Sequence, residues 1–97
     1  MEKYALLARL EAKAGKEEEV AAFLKSALPL VLDEPETVKW YGWQIGTSTF
    51  GIFDTFETEE GRKAHLAGKI AEALMTNAGT LLSQDPIIEF VEFLAVK

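Results

Sequence analysis

The stretch "WYGWQIGTSTFGIFDTF", Trp40 to Phe56, decides the fold. It holds six of the chain's ten aromatic residues, including both tryptophans. Thr37–Ile45 and Thr49–Phe56 are rich in β-branched and aromatic side chains, which suit a pleated, half-buried surface, so both are read as strands. Gly46-Thr47-Ser48 between them is a hairpin turn signal. Successive side chains point to opposite faces of a strand. Trp40, Tyr41 and Trp43 occupy both faces of the first strand, and Phe50, Phe53 and Phe56 do so in the second. Both faces of this hairpin are therefore expected to be covered.

Upstream, Tyr4 to Ala12 (YALLARLEA) is short, largely apolar and then alternating, which predicts a strand. Ala14-Gly15-Lys16 is a turn. Glu17-Glu18-Glu19 opens a helix, where three acids complement the positive end of the helix dipole. Val20, Phe23, Leu24, Ala27 and Leu28 recur at three and four residues and form one apolar stripe. Pro29 lacks a backbone donor and is expected to kink or end this helix. Leu30-Val31-Leu32 leaves room for one further turn before Asp33-Glu34-Pro35. Downstream, Thr58 is a helix cap, with Glu59 and Glu60 in the first turn. Gly68 interrupts the helical pattern, and Ile70, Leu74, Ala78 and Leu81 mark a further helix. Asp85-Pro86 stops it, and Ile87 to Val96 is the last expected strand.

The order is thus β-α-β-β-α-β. This is an α+β, ferredoxin-like arrangement: a four-stranded antiparallel sheet with its helices on one face. Apolar residues on both faces of the strands leave a sheet face that so short a chain does not cover. A second copy is the expected cover, as a symmetric homodimer with sheets face to face.

Ninety-seven residues make one domain, 1–97. The net charge is −6, and no Lys or Arg stripe offsets it. Nucleic acid and anionic membrane surfaces are therefore not expected partners. No apolar run approaches the roughly twenty residues that span a bilayer, and Met1-Glu2-Lys3-Tyr4 lacks the layout of a signal peptide. The absence of cysteine excludes disulfides and thiolate chemistry, and fits a reducing cytoplasm. A single histidine, His65, precludes a His–His metal site within one chain. HExxH, GxxxxGK[ST] and EF-hand spacings are absent. No metal and no cofactor is expected.

"ARLEAKAGKEEEVAAFL" (Ala8 to Leu24), followed by "FGIFDTFETEEGRKAHLAGKIAEALM" (Phe50 to Met75), resembles the antibiotic biosynthesis monooxygenase family of the dimeric α/β-barrel superfamily. The key element is the strand IFDTF, then an acidic helix start, then Ala64-His65-Leu66. The resemblance implies a dimeric α/β barrel. It also implies small oxygenases that use dioxygen without metal or flavin on quinols or polyketide anthrones, alongside haem-degrading enzymes and proteins with no known activity. Haem-degrading relatives carry Asn where this chain has Ala8, and Trp where it has Phe56, a Trp that many quinol-oxidising relatives share, so the haem reading is set aside. His65 matches the histidine of the quinol oxidisers. Their following Pro-His pair is replaced here by Lys69-Ile70.

Cofactor-free oxygenation needs a base, a dry site and walls that hold a flat ring. With Gly46 to Thr49 as the hairpin loop, Ile45 pairs with Phe50, Trp43 with Ile52 and Tyr41 with Asp54. Tyr41, Trp43, Asp54 and Phe56 then share one face, which the resemblance turns toward the helices. Trp40, Gly42, Gly51 and Phe53 face the dimer interior. A one-residue slip inverts this assignment. On this register His65 is the candidate base, because histidine titrates nearest neutrality. Asp54 and Tyr41 are its candidate polar partners, and Trp43, Phe56, Ile52 and Ala8 are candidate walls for a small aromatic molecule and dioxygen. Structural readings stand beside these: a core-edge histidine, an Asp54 bound to Tyr41 or to a cation, aromatics that are simply core, and an interfacial Arg9–Glu11 pair. The functional alternatives are an enzyme, a protein that binds an aromatic or lipophilic molecule without turnover, and an interaction subunit with a filled pocket.

Overall fold

Alternation and helical periodicity place four strands and three helices along the chain. The computed structural model, which describes Met1–Lys97, contains β1 (Tyr4–Glu11), α1 (Glu17–Leu32), β2 (Thr37–Ile45), β3 (Thr49–Phe56), α2 (Glu59–Leu66), α3 (Lys69–Leu81) and β4 (Ile87–Glu92). The strands form one sheet in the order β2-β3-β1-β4, with every neighbouring pair antiparallel. This is the ferredoxin-like α+β fold expected from the sequence.

Two element ends differ from expectation. Helix α1 runs through Pro29 to Leu32. Its buried stripe is Val20, Leu24, Ala27 and Val31, so packing continues for a turn past the proline, whose exposed ring leaves the core undisturbed. Leu28, expected in the stripe, is 46% exposed. Strand β4 ends at Glu92 rather than Val96, and Leu94 and Val96 lie exposed beyond it.

The hairpin register also differs. Ile45 pairs with Thr49, Trp43 with Gly51, Gly42 with Ile52, Tyr41 with Phe53 and Trp40 with Asp54. The loop is three residues, not four, and Gly46 takes the left-handed conformation (φ 64°) that glycine adopts without strain. Because the side-chain period is two, one residue of slip moves every β2 side chain to the other face. Trp40 and Gly42 therefore face the helices with Ile52, Asp54 and Phe56. Tyr41 and Trp43 lie on the opposite face with Gly51 and Phe53.

On the helix side, Ala8, Leu10, Phe50 and Ile52 pack against Val20, Leu24, Leu74 and Leu82. A second group, Ala27, Val31 and Ile70, continues the core toward the carboxyl end of α1, and Trp40 packs against both. The other face of the sheet carries Arg9, half-exposed Trp43 and Phe53, and the exposed side chains of Tyr41 and Ile45, with no element laid over them. No helix is long and apolar enough to cross a membrane.

Candidate functional site

Strand β3 lies between β2 and β1, so an acid on its helix face is surrounded by protein. Asp54 holds that position and is 1% exposed. A carboxylate buried this deeply is costly unless paired. Its partner comes from α2. The Thr58 hydroxyl accepts the Gly61 N–H at 3.0 Å and sets the start of that helix. Two turns later His65 points at the sheet. Its Nε2 lies 2.8 Å from Asp54 Oδ2, and its ring tilts against Phe56 with centroids 5.4 Å apart.

The other ring nitrogen is engaged as well. His65 Nδ1 lies 2.6 Å from Glu34 Oε1, on the turn between α1 and β2. Glu34 is held by the Thr37 hydroxyl, which donates to the same oxygen at 2.8 Å. A register shift between Thr37 and Lys39 marks this end of β2, the kind of irregularity that re-aims side chains beside sites. Gly68, at the break between α2 and α3, completes the fit. A Cβ there would lie 3.2 Å from Glu34 Oε2.

Glu34, His65 and Asp54 thus form a line from the surface to the sheet. Each ring nitrogen faces a carboxylate oxygen, which suits the doubly protonated imidazolium. Burial pushes the His65 pKa down. The hydrogen bond and charge of Asp54, then those of Glu34, outweigh burial and hold it above its ordinary 6.5. Two buried polar atoms have no partner: Asp54 Oδ1 and the indole N–H of Trp40, on directly paired residues.

His65 separates two cavities. The inner one, about 40 Å³, is walled by Leu6, Ala8, Ile52, Asp54, Ile70 and Leu74. The outer cleft, about 460 Å³, runs between α2 and the α1–β2 turn and is lined by Leu30, Asp33, Glu34, Glu36, Gly61 and Lys69, among others. No three His, Cys, Asp or Glu side chains converge to hold a metal ion.

Of the residues singled out from sequence, His65, Asp54, Phe56, Ile52 and Ala8 come together around the inner cavity and its rim. Tyr41 and Trp43 do not join them. The register puts both on the far side of the sheet, where Tyr41 is 52% exposed and the Trp43 ring lies 5.9 Å from the Arg9 guanidinium. The salt-bridge reading of Asp54 holds, and the bond to Tyr41 does not form. Within the chain, Glu11 accepts from the Thr49 hydroxyl at 2.8 Å. Gly42 and Gly51 lie on opposite faces, each beside an indole ring. Glu34 joins the site without a signal in the sequence. It is 31 positions from His65, in a turn-like Asp-Glu-Pro run that carries no sign of a buried partner.

The fold is that of the antibiotic biosynthesis monooxygenases. An antibiotic biosynthesis monooxygenase superposes with a TM-score of 0.81 at 12% identity, over 95% of this chain and 99% of that one. Rv0793 from Mycobacterium tuberculosis gives 0.86 at 13% identity, over 96% of each chain. The chain belongs to one family with NE2512 from Nitrosomonas europaea, a protein of unknown function. The two share 58% identity and a TM-score of 0.97, over 100% of this chain and 94% of that one. No family model and no curated protein matches the chain.

Proposed function

We propose that this protein is a cofactor-independent monooxygenase that oxidises a small quinol, anthrone or similar phenolic compound with dioxygen. The observation that carries this reading is Asp54 Oδ1: a carboxylate oxygen without a donor, in a residue that lines an apolar cavity. A phenol or enol O–H supplies the missing donor. Asp54 accepts its proton, and the adjacent His65 imidazolium offsets the buried negative charge. The substrate anion gives an electron to dioxygen, and the two couple at a carbon that bears hydrogen, giving a peroxide anion that takes back the proton from Asp54. Asp54 then removes the C–H proton, the C–H electron pair becomes the second bond of the carbonyl as the O–O bond breaks, and the departing hydroxide leaves with that proton as water. One oxygen atom enters product and one enters water. All the electrons come from the substrate, so no reductant is required.

In this reading the proton acceptor is Asp54 rather than His65, because both ring nitrogens already face carboxylates. Substrate entry requires Leu66, Ile70 and Leu74 to give way, since the inner cavity now has room for only one or a few waters. That size favours a second reading, a protein that binds an aromatic or lipophilic molecule without turnover in the outer cleft, whose volume suits a small ligand. Either reading includes a homodimer. Tyr41, Trp43, Ile45 and Phe53 form an apolar patch on a sheet face that the chain leaves uncovered, and such patches mark interaction surfaces.

The deciding experiment is dioxygen uptake by the purified, metal-free protein with a panel of quinols and anthrones, beside Asp54→Asn. Uptake above the uncatalysed rate, reduced at least about 100-fold in the variant, is the expected result. Uptake unchanged in Asp54→Asn discards the base. No uptake, with saturable ligand binding in its place, moves the assignment to the second reading.

A further inference from the structure

We infer that Glu34 is a positioning residue for Asp54, acting through His65. The role of Asp54 as a base rests on the oxygenase reading; the coupling between the two carboxylates stands on geometry alone. A neutral imidazole has one N–H. It satisfies one carboxylate and turns a lone pair on the other. With Glu34 at 2.6 Å and Asp54 at 2.8 Å, both contacts are favourable only when both nitrogens donate. Glu34 therefore keeps Nδ1 protonated while Nε2–H stays on Asp54 Oδ2, so that a positively charged ring faces Asp54 and Oδ1 is left as the free acceptor.

Glu34 is itself restrained by the Thr37 hydroxyl and by the space beside Gly68. Its side chain is 21% exposed, against 1% for Asp54. The outer cleft thus reaches one end of the line, and the inner cavity lies at the other. A change of charge at the cleft end is transmitted through the ring to a carboxylate that solvent does not touch. The groups facing His65 are Asp54 from β3, Glu34 from the α1–β2 turn, and the Phe56 ring. Asp33, Glu36 and Lys69 also line the cleft, and none of them bonds to the imidazole.

The test is nitrogen-15 NMR titration of His65 in the wild-type protein, Glu34→Gln and Glu36→Gln. Glutamine keeps the size and acceptor oxygen of Glu34 and removes its charge. Glu36→Gln removes a charge from the same cleft without touching the ring. The His65 pKa is expected to fall by about one to three pH units in Glu34→Gln and to stay in place in Glu36→Gln. The melting temperature of Glu34→Gln should fall below that of wild type at acidic pH, where the paired imidazolium stabilises the fold, and approach it at alkaline pH. Where dioxygen uptake is measurable, its pH profile moves with the His65 titration in Glu34→Gln, with KM unchanged. An unchanged His65 titration in Glu34→Gln overturns the inference, and so does an equal fall in both variants. A fall confined to Glu34→Gln, in a protein that consumes no dioxygen, supports the coupling and removes only the oxygenase reading.

Discussion

The two faces of the sheet hold one tryptophan each, and the two rings have different neighbours. On the helix face, Trp40 packs against both core groups, and its ring lies close to where a Cβ of Gly42 would be (3.3 Å). On the open face, the Trp43 ring lies across Gly51 so closely that a Cβ there would fall 2.1 Å from the ring and 2.4 Å from the Ala8 carbonyl oxygen. The helix face keeps a charged line, Glu34–His65–Asp54, inside protein. The open face keeps its charges at the surface and leaves aromatic area uncovered. Under the proposed function, chemistry that needs a dry environment falls on the first face and association on the second.

The largest expected effect falls on the helix face. His65→Ala leaves Asp54 buried without its counter-charge and should cost about 3–5 kcal/mol, measured by urea denaturation at pH 7. Adding Asp54→Asn to that variant removes the stranded charge and should recover part of the loss. A loss below about 1 kcal/mol in the single variant would mean that Asp54 is not held by the ring.

Gly51→Ala probes the open face. Its Cβ meets a carbonyl oxygen that cannot swing away as well as the indole, so about 3 kcal/mol of destabilisation is expected. Gly42→Ala meets only an ordinary-to-tight contact and should cost less than about 1 kcal/mol. Equal costs would erase the difference between the two indole seats.

The pH dependence of stability separates the faces again. The folded-state pKa of His65 lies above its ordinary 6.5, so protonated His65 stabilises the fold fully below that value. That contribution is lost as pH rises through the folded pKa. Wild-type stability should therefore decline on the alkaline side of 6.5, and His65→Gln should flatten the decline. The smallest effect on the chain itself is expected from Ile45→Lys, at an exposed open-face position: within about 0.5 kcal/mol for the monomer. Sedimentation should show that the same change weakens self-association. Wild-type protein that sediments as a monomer would remove the dimer.

Much of the site was legible from residue types. His65 stood out as the only histidine, and Asp54 as an acid between Phe53 and Phe56 in a central strand. Their pairing follows from the helix that comes after β3. The face of Tyr41 and Trp43 turns on one residue of hairpin loop, because loop length sets the parity of β2 and the residues of the turn allow three or four. Glu34 was illegible. Its environment is made by α2 packing against a turn far away in sequence, and nothing local distinguishes it from Asp33 or Glu36.

The sequence alone determined the element order and with it the sheet topology, since alternation, helical periodicity and turn residues are local properties written along the chain. It also determined that any imidazole chemistry falls to the single histidine, His65. Only the tertiary structure decided which tryptophan faces the helices and which carboxylates grip His65. Strand parity turns on a single loop residue, and a buried charge finds its partner through space rather than along the chain.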